Sequence, residues 1–284
     1  MWCKGGICID ILDQIVFSKE ASNLDSYKII DADWKDNLGV AVVLKVKRQL
    51  MILLNENDFL TIPFKLQYSI VRWIDKNTLL IADSRNENDL DNVFILNLAG
   101  KILVSFNGGD GIEDIEIGKE GIWISYFDEG VFGNGISTEG LVLFDFTGKA
   151  VFRYHSDLTI RPSISDCYAI CKGKASSVWL FPYSNFCLIQ IYPETKAINY
   201  YKVPQKLYGS QALCVRGNYA YFFDRYNSDD ELFSWEIGEK KPQLIGKIDG
   251  VLRGLSNSEN NHFISISEEF VKLYKIINAD EYNN

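Results

Sequence analysis

The sequence repeats one pattern of four short segments six times, and this repeat constrains the fold more than any other feature. In each unit a mixed polar and apolar segment precedes a strongly apolar one. A third apolar segment then leads through a tight turn to a fourth. The second segments read GVAVVLKV, TLLIAD, GIWISYF, SVWLFPY, YAYFFD and HFISIS. The third segments, such as VFILNLAGK and LVLFDFTGK, end in the polar or glycine-containing turns that are typical of β-hairpins.

Repeated four-stranded units of this length, about 40–50 residues, predict a β-propeller. We therefore predict an all-β, six-bladed β-propeller in which residues 1–284 form one domain. The blades are expected at approximately 27–66, 67–106, 110–155, 161–203, 207–249 and 250–277. The last unit has three evident strands, and a spare strand-like segment at residues 14–21 precedes the first unit. We predict that this N-terminal strand completes the last blade, because closing the ring removes two exposed sheet edges.

The charge balance bears on the class of partner. The chain has 38 Asp and Glu against 29 Lys and Arg, a net charge of −9. This excess argues against binding to a nucleic acid backbone and favours a basic protein partner. The alternative is that the negative surface only keeps the protein soluble.

The location is predicted from the cysteines and the apolar segments. The six cysteines form no CxxC pair, so a zinc site is weakly supported. The first residues carry acids too early for a signal peptide, and no apolar run approaches the roughly 20 residues that span a bilayer. We expect a cytoplasmic protein with reduced thiols and no contact with a membrane.

An acidic, glycine-rich segment at residues 108–140 is the most unusual part of the chain. One interpretation is a Ca²⁺ site, for which the candidate ligands are Glu113, Asp114, Asp128 and Asp166. No D-x-D-x-D-G pattern supports it, and the same residues also suit tight turns. We therefore expect no cofactor, with Ca²⁺ as the alternative. For Asp166 we favour hydrogen bonds to backbone amides across a blade junction over a role at the channel.

Three long polar loops follow second strands, at residues 84–92, 126–140 and 225–231. Because they occupy equivalent places in their units, they are expected on one rim of the ring. Acidic side chains steer basic partners and aromatic side chains anchor them, although solvated loops are the ordinary alternative. The predicted partner-binding residues are Glu87, Asp89, Asp91, Tyr126, Phe127, Asp128, Glu129, Phe132, Tyr226, Asp229, Asp230 and Glu231.

Catalysis finds little support in the residues. His155 and His262 are the two histidines of the chain, and neither has an obvious nucleophilic Ser or Cys partner. We predict no catalytic residues. The alternative is a metal-dependent hydrolase or lactonase that uses the carboxylates named above.

The segments DGIEDIEIGKEGIWISYFDEGVFGNG and ISDCYAI resemble uncharacterised bacterial propeller proteins of the WD40-like kind, most specifically over residues 108–168. The chain also resembles immunity proteins encoded beside contact-dependent growth-inhibition toxins. That resemblance implies direct binding to a basic toxin nuclease and occlusion of its active site. The sequence thus predicts a non-catalytic binding protein, with a propeller enzyme or a generic interaction scaffold as alternatives.

Overall fold

A computed structural model describes residues 2–4, 7–20, 26–55, 58–62, 64–86, 88–227, 229–255 and 261–278. The described residues form six antiparallel sheets, each one blade of a ring. Two N-terminal strands come first, β1 (Trp2–Lys4) and β2 (Ile7–Ser18). Blade one contains β3 (Tyr27–Lys35), β4 (Gly39–Val46), β5 (Gln49–Leu54) and β6 (Asp58–Thr61). Blade two contains β7 (Ser69–Asp75), β8 (Thr78–Asp83), β9 (Val93–Asn97) and β10 (Ile102–Phe106).

The remaining blades follow in chain order. Blade three contains β11 (Ile112–Ile117), β12 (Ile122–Tyr126), β13 (Leu141–Phe144) and β14 (Ala150–Arg153). Blade four contains β15 (Asp166–Lys172), β16 (Val178–Tyr183), β17 (Cys187–Tyr192) and β18 (Ala197–Lys202). Blade five contains β19 (Ala212–Arg216), β20 (Tyr219–Asp224), β21 (Glu231–Glu236) and β22 (Gln243–Lys247). Blade six contains β23 (Val251–Leu255), β24 (His262–Ile266) and β25 (Phe270–Asn278), together with β2 and β1.

The burial of the second strands explains their composition. The side chains of Ala41, Val42, Val43 and Leu44 in β4 are fully buried, and every residue of β12 is buried. A strand in the middle of a blade is covered on both faces by neighbouring blades, so it reads as a continuous apolar run without alternation. The all-β, six-bladed propeller predicted from the repeat is confirmed.

The N-terminal strand closes the ring, as predicted. Strand β2 pairs antiparallel with β25, from Ile9 opposite Asn278 to Ser18 opposite Phe270. The strand covers Ile7–Ser18 and so begins earlier than the predicted segment 14–21, whose last residue lies outside the described part. Phe17 is buried in the core, whereas Ile15 is 55% exposed on the outer face. The outermost strand of this blade is β1, which pairs with β2.

Buried ion pairs join the first strands around the axis. Arg72 on β7 donates to Asp31 of blade one at 2.8 Å and to Asp114 of blade three at 2.6 Å. Its Nε also donates to the carbonyl of Ile115 at 2.8 Å. Asp33 of blade one accepts from the Trp73 amide and from Arg253 of blade six, both at 2.7 Å. These contacts tie the first strands of four blades together.

Helical structure is confined to short connections. The described residues contain α1 (Asp128–Val131) and α2 (Tyr154–Asp157), with two 3₁₀ turns at Gly135–Glu139 and Gln205–Leu207. Neither helix comes near the length and apolarity that crossing a membrane would require, and the described part of the chain holds no other α-helix.

Candidate functional site

Two kinds of connection meet on one face of the ring. The loops between second and third strands, at residues 84–92, 127–140 and 225–230, contact the connections that lead into first strands, at 107–111, 154–165 and 203–211. The Ser84 hydroxyl donates to the carbonyl of Ile112 at 2.6 Å, and the Phe127 amide donates to Gly111 at 2.9 Å. We call this the upper face. The three loops predicted to share one rim all belong to it.

An arginine holds the first two loops together. Arg85 contacts Asp110 at 3.1 Å and pairs with Glu129 of the second loop. The Asn86 amide also donates to Asp110, at 2.6 Å. These bonds and the Arg85 charge hold the pKa of Asp110 below its usual value against the effect of burial. Arg85 therefore neutralises part of the negative charge of the predicted acidic surface.

The other predicted residues of the first loop have local roles. Asp91 accepts from the Ser105 hydroxyl at 2.6 Å, and Asp89 accepts from the side-chain amide of Asn107. Glu87 lies outside the described residues. Asn92 is 4% exposed, and its side-chain amide donates to the carbonyls of Asp83 and Gly109 at 2.8 and 2.9 Å. The loop is thus braced by its own polar side chains.

The aromatic residues of the second loop differ in their exposure. Tyr126, predicted as an anchor, is fully buried, and its hydroxyl donates to the carbonyl of Gly108 at 2.6 Å. This prediction is corrected, because Tyr126 is the last residue of β12 and belongs to the core. Phe127 is partly exposed, with the Arg85 guanidinium 5.8 Å from its ring centre. Phe132 is 74% exposed, and Asp128 and Glu129 are exposed beside it.

The third loop, like the second, combines a strongly exposed aromatic side chain with paired charges. Tyr226 is 79% exposed. Arg225 lies 3.8 Å from Asp230, and Lys206 contacts Glu231 at 3.2 Å. Asp229 is exposed at the turn. As in the first loop, basic side chains of the same face offset part of the negative charge.

Exposed apolar side chains are concentrated on the upper face. They come from its loops and strand ends in consecutive blades, and comprise Tyr68, Leu90, Phe132, Ile160, Tyr183, Tyr226 and Val251. On the opposite face, the exposed large apolar residues of the described turns and strand ends include Leu98, Ile102 and Leu103. The sequence analysis identified Phe132 and Tyr226 and missed the rest. Their exposure depends on how loops of different blades lie against each other, and no local sequence pattern predicts it.

Two carboxylates lie near the upper end of the channel, at the starts of two first strands. Glu113 lies at a bulge in β11, and Asp166 is the first residue of β15. Burial among protein atoms, together with the charges of Asp166, Asp114 and Asp128, raises the pKa of Glu113 to about 8, although water still reaches the side chain. Burial and the Asp128 charge raise the pKa of Asp166 to about 6.

Asp166 does not make the backbone hydrogen bonds that we favoured for it. Its Oδ1 is buried and has no hydrogen-bond partner. The charge of Asp166 instead contributes, after burial, to raising the pKa of Glu113. At the upper end of the channel, Asp166 Oδ1 is therefore an acceptor without a donor or cation bound to it among the described residues.

An aromatic cluster adjoins this pair. Tyr168 stacks on Tyr183 with ring centres 6.1 Å apart, and Phe186 stacks on Tyr208 at 4.5 Å. Burial and then the Asp166 charge raise the pKa of the Tyr168 hydroxyl. Carboxylates beside aromatic faces are the surroundings that lysine and arginine side chains bind most readily.

The candidate metal ligands have separate surroundings. Asp114 is engaged by Arg72, whereas Glu113, Asp128 and Asp166 lie around the channel mouth. Over the described ranges, no three His, Cys, Asp or Glu side chains come close enough to hold one ion.

The two histidines have structural contacts. His155 bonds the carbonyl of Thr138 at 2.8 Å and the amide of Ile164 at 3.2 Å, and burial lowers its pKa. His262 stacks on Trp34 with ring centres 5.5 Å apart. The contacts of both rings therefore support loops and a blade junction.

Six antiparallel blades in a ring define the class of this protein as a β-propeller. No protein-family model matches the sequence, and no curated protein matches it. Among solved structures the chain is similar to virginiamycin B lyase from Staphylococcus aureus, with a TM-score of 0.53 and 12% identity over 95% of this chain and 100% of that one.

Two further solved structures show a likeness of the same degree. The WD40 repeats of RRP9 give a TM-score of 0.57 and 7% identity over 93% of this chain and 97% of that chain. YCF48, solved with a bound D1 peptide, gives a TM-score of 0.52 and 7% identity over 89% of this chain and 79% of that chain. At these identities the likeness shows the fold alone, and the fold is shared by a lyase and by a protein solved with a bound peptide.

Proposed function

We propose that this propeller is a protein-binding module whose upper face docks a basic partner. The observation that carries the proposal is the concentration of exposed apolar side chains on that face, in positions interleaved with acidic loops. Exposed apolar groups rimmed by polar ones mark interaction sites more often than they mark bare surface. YCF48, whose structure holds a peptide, offers a precedent for the fold.

The charge of the partner follows from the channel mouth. Glu113 and Asp166 repel each other's ionised forms, so a cationic side chain placed between them gains two attractive contacts. Tyr183, 43% exposed, offers an aromatic face nearby. A lysine or arginine of the partner fits this surrounding better than any neutral side chain does.

A narrower form of the proposal is that the partner is a basic toxin nuclease, which the chain neutralises as an immunity protein. It rests on the resemblance in the sequence and on the acidic, aromatic upper face. A cytoplasmic location stays a prediction. We keep this narrower identity separate, because the docking surface is proposed for any basic protein of matching shape.

Calorimetric titration with a basic toxin nuclease, taken from a gene beside this one if such a gene is found there, tests both forms. We expect the double change Phe132→Ser and Tyr226→Ser to weaken binding at least tenfold, as exposed aromatic anchors do when truncated. Val151→Ser is the matched control, because Val151 is 50% exposed on the outer strand of blade three. Glu113→Gln is expected to weaken binding and to reduce its dependence on salt.

The outcomes separate the two forms of the proposal. Binding that the upper-face changes leave intact would count against this face. Binding of the toxin nuclease that fails to reduce its activity would leave the docking face standing and remove the immunity role. In another outcome, the nuclease fails to bind while a lysine-rich peptide array binds in a way that the upper-face changes weaken. That result would also keep the docking face and remove the immunity role.

A further inference from the structure

A groove lies on the face of the ring opposite the upper face, between blades two and three. We call lower face the side that carries the hairpin turns at residues 76–77, 98–101, 118–121 and 145–149. The groove, of about 500 Å³, opens there. Its apolar lining comes from both blades and comprises Ile74, Ile95, Leu103, Val104, Ile117 and Phe146. Grooves of this volume are typical of small-molecule sites.

The axial end of the groove is basic. Lys35 reaches it from blade one, Lys119 from blade three and Lys172 from blade four. Asp75 also lines the groove, and its carboxylate accepts from the Asn77 amide at 2.7 Å within its own turn. Glu116 and Asp33 lie near Lys35 and offset part of the positive charge. Three lysines from three blades still line the groove against one carboxylate, Asp75.

Lys35 is held in place with a donor to spare. Its Nζ donates to the carbonyls of Trp73 at 2.8 Å and Ile74 at 3.2 Å. An ammonium group carries three N–H donors, so these bonds use two of them. Burial lowers the pKa of Lys35, and the neighbouring Lys172 acts in the same direction against Asp33 and Glu116. An anion at the third donor would offset the cost of burying this charge.

We propose that this groove binds a small organic carboxylate with an aromatic or branched apolar body. The carboxylate lies against Lys35 at the axial end and accepts its remaining N–H. The apolar body covers Ile117 and Phe146 and extends toward Leu103, which is 49% exposed at the outer end. The site is on the other face from the proposed docking surface, so neither proposal depends on the other.

The test compares 4-phenylbutyrate with its neutral analogue 4-phenylbutan-1-ol by calorimetry and by amide chemical shifts of the labelled full chain. We expect the acid to bind at least tenfold more tightly than the alcohol. Its shift changes are expected at Gly118 and Phe146, not on the upper-face loops. Lys35→Met is expected to weaken binding of the acid at least tenfold. Lys101→Met is the control, because Lys101 is exposed on the same face outside the groove.

A second variant covers the case in which Lys35→Met fails to fold. Leu103→Glu places a negative charge at the exposed rim and is expected to weaken the acid more than the alcohol. Equal affinity for acid and alcohol would overturn the proposal. So would unchanged binding in folded Lys35→Met, or no binding of the acid at millimolar concentration.

Discussion

Arg72 and Asp114 form a buried ion pair, with 2.6 Å between Nη2 and Oδ1, that joins the first strands of blades two and three. The same guanidinium reaches Asp31 of blade one at 2.8 Å. One side chain thus links three blades at the axis. Desolvation opposes this charge, and the two carboxylates outweigh it, so the pKa of Arg72 is raised.

We expect Arg72→Met to lower the free energy of unfolding by about 3–5 kcal/mol, because it leaves two buried carboxylates without their cation. Urea denaturation followed by tryptophan fluorescence measures the change. Lys149→Met, an exposed position on the lower face, is the control and should fall within about 0.5 kcal/mol of the parent. A similarly small effect of Arg72→Met would contradict the role given to this pair.

The Glu113 carboxyl predicts a dependence of stability on pH. Its pKa is raised to about 8 in the folded chain, against 4.5 as the ordinary value. The folded state therefore binds the proton more tightly than the unfolded state does, and this contribution is fully present below the unfolded pKa. Stability is lost as pH rises through the folded pKa.

We expect Glu113→Gln to flatten this part of the profile, so that the variant gains stability over the parent as pH rises from 5 to about 9. Urea midpoints measured at several pH values supply the comparison. Asp166→Asn, with a pKa raised to about 6, should show its gain at lower pH. If the parent and Glu113→Gln showed the same change in stability with pH over this range, the prediction would be contradicted.

The closing strand offers a pair of matched positions. Phe17 is 8% exposed and packs with Tyr27 at 6.1 Å, whereas Ile15 in the same strand is 55% exposed. We expect Phe17→Ala to cost about 3–5 kcal/mol and to raise the tendency to aggregate, because loosening β2 exposes the edge of β25. Ile15→Ala should cost less than about 1 kcal/mol. Thermal unfolding and light scattering test both, and equal effects would contradict the assigned orientation of the strand.

The bridge made by Arg85 predicts a local change without a global one. Because Arg85 and Glu129 are both partly exposed, Arg85→Met should lower stability by no more than about 1 kcal/mol. Hydrogen exchange should nevertheless become faster in the loops at 84–92 and 127–132. Arg153→Met, an exposed arginine of the outer strand of blade three, should leave both loops unchanged. Unaltered exchange in the Arg85 variant would show that the loops hold each other without this side chain.

Some site residues were within reach of the sequence and others were not. The apolar run that ends at Tyr126 belongs to a second strand covered on both faces, so the repeat favoured the burial of Tyr126 even though we predicted this residue as an exposed anchor. The exposure of Leu90 and Ile160 could not be predicted, because the sequence around a lone apolar residue in a loop is the same whether its side chain is buried or exposed. The link of Asp114 to Arg72 was equally hidden, since the two residues are 42 positions apart in the chain.

The sequence by itself determined the blades and their closure. A strand buried on both faces needs a continuous apolar run, and a hairpin needs turn residues. Both features recur at a regular interval along the sequence. Only the tertiary structure decided which charges meet. Contacts between first strands, such as Arg72 with Asp114 and Lys35 with Trp73, join residues of different blades whose spacing follows no local period. Ring geometry sets those distances, and the two faces of the ring acquire their separate chemistry from it.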